Sequence, residues 1–139
     1  MGIKVKNLDE LVVDLSIPGT QTAANSQKCF VVPFGCVLKA VYAKLGTAGT
    51  TNNQDVDINK NGTTILSSTG GIRFATTSTA ATAATYTTDP PVFAKGDIIT
   101  VDIDAVHSTP AVNLALTLVL SRRLSNNAVQ NGGYGQDAE

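Results

Sequence analysis

Four residues in the stretch DVDINKNGTTIL, residues 55–66, have the types and spacing of a calcium loop. Asp57, Asn59, Asn61 and Gly62 match the start of D-x-[DN]-x-[DN]-G, where alternate oxygen-bearing side chains converge on a hard cation. The rest of that chemistry is missing. Counting from Asp57, position twelve is Ser68, where a bidentate glutamate should close the shell, and position eight is Thr64 instead of a buried aliphatic residue. Asn61-Gly62 has a plainer reading, because both central residues of a type I′ turn need φ > 0 and Asn-Gly meets that need. Val56, Ile58 and Ile65 then supply a buried face and the acidic residues a solvated one. The stretch predicts a hairpin, with no metal ligands.

Other groups with chemical potential are sparse. His107 stands in AVHSTP beside Ser108, but neighbours in sequence do not make a nucleophile–base pair, and no G-x-S-x-G motif is present. The expected place for His107 is a solvated turn between two strands. Asp102 and Asp104 share one face of a strand, about 7 Å apart, and read as its wet side rather than as a glycosidase pair. Cys29 and Cys36 flank VVPFG and could meet across a strand pair. With no secretory leader in the sequence, they read as two reduced, buried thiols. His107 is too remote to complete a zinc site with them. No glycine-rich phosphate loop opens a helix. The tyrosines, Tyr42, Tyr86 and Tyr134, are the candidates to stack on sugar rings, and tryptophan is absent. We therefore expect no catalytic residues, no metal site, no cofactor and no enzyme activity.

Ten basic and eleven acidic residues give a net charge of −1, spread along 139 residues. The pair Arg122-Arg123 falls far short of a nucleic-acid-binding run, and the balance argues against capture of nucleic acid or of anionic membranes. No segment reaches the roughly 18 apolar residues of a membrane span. MGIKVKNLDELVV lacks the apolar core of a signal peptide, and Lys6 stands where myristoylation wants Ser or Thr, so the expectation is a soluble protein made in the cytosol.

The elements that must position these groups are strands. Leu11, Val13, Leu15 and Ile17 alternate over 10–17, up to Pro18-Gly19. Residues 28–32 and 36–45 follow as strands, then the hairpin arms 54–60 and 63–68, and a short IRF strand at 72–74. After a turn in PVFAKGD, Ile99, Val101 and Ile103 alternate within 97–106. In 112–121, Leu114, Leu116, Leu118 and Leu120 share one face. Val112, Ala115 and Val119 make the other face partly apolar, as in a strand covered on both sides. About eight strands at 8–12-residue spacing predict an all-β fold, a single antiparallel β-sandwich of jelly-roll type. The expected organisation is an N-terminal arm at 1–9, the sandwich at 10–121, and a flexible Asn/Gly-rich C-terminal tail at 122–139. Residues 75–88, ATTSTAATAATYTT, read as an exposed loop, or else as a small-residue strand pressed against another chain.

VDINKNGTTIL at 56–66 and VFAKGDIITVDIDAV at 92–106 together resemble segments of small β-sandwich structural proteins of tailed bacteriophages. A Lys-Gly-Asp turn before an alternating strand also occurs in trimeric jelly rolls of the tumour-necrosis-factor and complement types, where it is structural. The resemblance covers roughly residues 35–121 and brings no catalytic residue with it. It implies a virion structural protein, foremost a capsid decoration (cement) protein: a homotrimer on the capsid surface that binds the major capsid protein and stabilises the head. A tail, baseplate or head-fibre appendage that binds host or carbohydrate is the alternative it implies, and a lectin-like module comes third.

Overall fold

Alternation of apolar side chains at a period of two dictates the architecture. A computed structural model describes residues 9–123. Ten strands form two antiparallel sheets: β1 (Glu10–Asp14), β2 (Ile17–Thr20), β3 (Ala24–Val31), β4 (Cys36–Thr47), β5 (Gln54–Lys60), β6 (Thr63–Thr64), β7 (Ile72–Phe74), β8 (Val92–Phe93), β9 (Ile98–Ala105) and β10 (Val112–Arg122). One sheet runs β1-β10-β4-β8, with β2 also on β10. The other runs β3-β9-β5-β6, with β7 also on β5. Because β1 and β2 lie along one edge of β10, and β6 and β7 along one edge of β5, each pair acts as one broken strand. Eight strands result, and their order, 1-8-3-6 facing 2-7-4-5, is that of a jelly roll. The all-β sandwich expected from sequence is the fold of the chain.

Each sheet turns one face inward. Leu114, Leu116, Leu118 and Leu120 of β10 meet Ile99, Val101 and Ile103 of β9, with Val56, Ile58, Phe74 and Phe93 completing the core. Burial of each such side chain contributes about 1.5–3 kcal/mol. In β4 the inward set changes parity, from Cys36 and Leu38 to Val41, Ala43 and Leu45. The cause is a bulge, since Val119 pairs with Ala40 but Leu120 pairs with Leu38.

Several boundaries differ from expectation. The strand at 10–17 breaks at Leu15-Ser16, and Pro18-Gly19 lies inside β2 instead of ending the run. This costs little, because Pro18 sits on a short edge segment where its missing N–H is tolerated. β3 begins at Ala24, within the presumed connector, and the second hairpin arm is only Thr63–Thr64. β10 extends to Arg122, one residue into the expected tail. The arm and the rest of the tail lie outside the described residues.

The Ala/Thr stretch 75–88 is not a free loop. Thr79 accepts a bond from Leu45 N–H (3.0 Å) on one sheet. Thr82 N–H then reaches Arg73 on the other (2.9 Å), and Tyr86 bridges Leu66. Ala81, Ala84 and Tyr86 rest against the core. Small side chains let this segment lace the open side of the sandwich.

Candidate functional site

The residues of the calcium-like motif form a hairpin at 54–64. β5 and β6 are joined by Asn61 (φ 51°) and Gly62 (φ 88°), both in the left-handed region a type I′ turn requires. The three would-be side-chain ligands, Asp57, Asn59 and Asn61, do not converge. Asp57 accepts a bond from the Thr64 hydroxyl, and the Asn59 amide donates to Asp102 Oδ2 (2.9 Å). Asn61 spans the next turn instead. Its Oδ1 accepts Ile98 N–H (2.9 Å) and its Nδ2 donates to Asp97 Oδ1 (3.0 Å). With the Ala94 N–H also donating to Asp97, these bonds hold the Asp97 carboxyl below the usual range, the backbone bond first. Among the described residues no three His, Cys, Asp or Glu side chains are placed to hold a metal ion.

The same outer face of the β3-β9-β5 sheet gathers Asp55, Asp57, Asp102 and Asp104. Arg73 clamps Asp55 with two bonds, 2.7 and 2.9 Å. Asp102 is engaged by Asn59 and by Ser26 N–H (2.7 Å). Asp104 has no such partner among the described residues. Partial desolvation, then the charges of Asp57, Asp102 and Asp55, push its carboxyl above the usual range. This is a wet face, as expected for Asp102 and Asp104, and a strongly acidic one.

His107 departs from expectation. It is 1% exposed, wedged against Gly49, with Nε2 3.2 Å from the Ala75 carbonyl oxygen. Also buried, Gln54 donates to Gln21 Oε1 (3.1 Å), and Gln21 donates to the Ile17 carbonyl (2.9 Å). These buried polar residues pin loops at one end of the sandwich and make no constellation with Ser108, whose hydroxyl accepts from Asn52 (3.0 Å). The cysteines also part company. Cys29 is exposed on the outside of β3, whereas Cys36 is buried inside β4, where desolvation and then Asp97 raise its thiol pKa. Both are free, but only one is buried as expected.

The opposite outer face, on β1-β10-β4, has a different character. Register places Val12, Val119 and Ala40 in one row across three strands, and Asp14, Thr117 and Tyr42 in the next. Val12 is 66% and Tyr42 64% exposed. Val112 does not belong to this face. It pairs with Thr47, two residues beyond the inward Leu45, and so lies on the leucine side. An ion pair between Lys39 and Glu10 borders the apolar rows at one end, and Asp14 and Lys44 border them at the other. A hollow of about 530 Å³ between Pro18, Lys44 and Asn113 continues the surface. Around the β4 edge lies a further recess of about 410 Å³, walled by Tyr42 and Lys44, by the alanines at 81, 83 and 84, and with Ile72 beneath.

Of the two tyrosines among the described residues, Tyr42 is the one presented. Tyr86 is half-buried, its hydroxyl pKa raised by burial and then by Asp89, and Tyr134 lies outside the described residues. Sequence reasoning missed the recess, because its wall is the Ala/Thr stretch that carries no apolar pattern. No helix of the described residues is long and apolar enough to cross a membrane. Comparison of the chain with protein-family models, with curated proteins and with solved structures finds no match.

Proposed function

We propose that this protein is a non-enzymatic structural component of a tailed-bacteriophage virion, a capsid decoration protein that associates as a homotrimer on the major capsid protein. The observation that carries the reading is the apolar outer face at Val12, Val119 and Tyr42. A sheet facing water should alternate cleanly to polar residues, whereas this one also carries Val12, Val119, Ala40 and Tyr42 on its outer side, rimmed by charge, the pattern of a covered face. The acidic face on the opposite side suits the surface left toward solvent. Cement needs area and many equivalent contacts, not a reacting group. A stable interface of this kind buries roughly 2,000 Å² or more, so the oligomer should persist on dilution.

Light scattering at low micromolar concentration should give the mass of a trimer, and Val119→Arg should reduce it to a monomer that is still folded. A monomeric wild type would refute the assembly. In purified particles, hundreds of copies spread over the head would support cement. A few copies at a vertex or tail tip would favour the second reading, an appendage that binds host glycans. Exposed Tyr42 beside a recess is the observation on its side, since sugars stack on such rings.

A further inference from the structure

The recess beside β4 has the chemistry of an unfinished sheet. Leu116 turns its backbone toward β1 and β2, where its N–H bonds Ser16 Oγ (3.0 Å) and its carbonyl accepts Leu15 N–H (2.8 Å). Its partner Ala43 therefore turns its own N–H and C=O away from β10, and Val41, paired with Leu118, does the same. Leu45 shows where this series points, because its N–H donates to Thr79 on the open side. At the other end Leu38 N–H donates to Pro91 O (2.9 Å). Between these closures the Ala43 carbonyl faces Ala81 through the Lys44–Ala80 bridge, but the Ala43 N–H and both backbone groups of Val41 have no backbone partner among the described residues. The bulge opens the edge there, and the lacing segment leaves β4 after Ala80 to join Phe74 on the other sheet. Two N–H groups and the Val41 carbonyl thus line a recess with small alanine walls and an apolar floor.

We propose that this edge takes residues 3–7 of a second copy of the chain as an added strand. An extended backbone is the ligand that satisfies both residues at once, and small walls leave room for alternate side chains. Ile3-Lys4-Val5-Lys6-Asn7 has the required alternation in sequence, with Ile3 and Val5 offered to the recess and the lysines outward beside the Tyr42 ring. The chain cannot fill its own recess this way. Arg122 N–H bonds Asp9 O and Arg122 pairs with Cys36, so Asp9 lies level with the start of β4 but two strands away. From there Ala43 is about 22 Å distant, and residues 7 to 3 lie only two to six positions from Asp9, a reach of about 7–20 Å, so they cannot lie in the recess of their own chain. Residues 124–139 are long enough to reach it, but their Asn- and Gly-rich sequence has no alternation to present. This inference rests on the self-association proposed above and adds how copies are joined.

Amide hydrogen exchange on the full chain tests it. Exchange at Val41 and Ala43 should be at least about tenfold slower in the wild type than in Ile3→Asp/Val5→Asp. An isotope-labelled Ile3→Asp/Val5→Asp chain should regain that protection when mixed with unlabelled Ala83→Arg, which keeps the donor segment but fills its own recess. Unlabelled wild type serves as a second donor. Protection that survives Ile3→Asp/Val5→Asp, or that is lost only when 124–139 are removed, overturns the inference. So does a labelled acceptor that stays fast with both donors. A monomeric mass overturns this inference and the assembly together, whereas an oligomer with fast amides at 41 and 43 overturns this inference alone.

Discussion

An ideal Cβ at Gly49 would stand 2.4 Å from His107 Cγ and Nδ1, closer than any real Cβ contact. The glycine is there for close approach of the backbone to a buried ring. Gly49→Ala should therefore cost about 1–3 kcal/mol in urea denaturation. Combined with His107→Ala, the loss should be smaller than the sum of the two single losses by about 1 kcal/mol or more, since the clash disappears with the ring. Simple additivity would refute the contact. Asp104 makes the opposite case, a side chain that weakens the fold. Its folded-state pKa is raised, so across the interval above its ordinary value the native state holds the proton more tightly than the unfolded chain. Stability is then lost as pH rises through that interval, and the full penalty applies at neutral pH. Asp104→Asn should raise the melting temperature at pH 7, and the two proteins should converge below about pH 4. A gain that persists in acid would point away from charge. Neither residue was legible beforehand in these terms. The burial of a lone loop histidine, and the meeting of four carboxylates from two strands, depend on register that no local pattern encodes.

Among the elements, the hairpin was the most legible, because Asn61-Gly62 satisfies its φ requirement locally, whatever packs around it. Nothing lies within 4 Å of a Cβ at Gly62, so a side chain there meets only backbone strain. Gly62→Val should cost about 1–2 kcal/mol, equally with calcium and with chelator. A calcium-dependent melting temperature in the wild type would overturn the hairpin reading. β9 and β10 were legible from their alternating Ile, Val and Leu. β4 was legible only as a strand. Its bulge at Lys39-Ala40 moves Val41 and Ala43 to the inward side, and a reader of strict period two assigns half of it to the wrong face. The stretch 75–88 was opaque for a different reason. Its anchorage comes from backbone hydrogen bonds to both sheets, and any small side chain permits those.

At the scale of the molecule, the two outer faces divide the labour proposed here, one apolar and rimmed by charge, the other acidic. The jelly-roll order was expected in outline from strand count, and the pairing of β10 with β1, β2 and β4 gave it substance. That central position has a consequence for synthesis. Among the described residues β10 follows the other nine strands in chain order, yet it occupies the middle of its sheet and carries four core leucines. While the ribosome still holds residues 112–122, β1 and β4 have no common neighbour, and the nascent chain exposes the leucine-facing surface of the second sheet. Folding of the sandwich therefore waits on release of its last strand. A transcript cut short before Val112 would yield an aggregation-prone half rather than a smaller working protein.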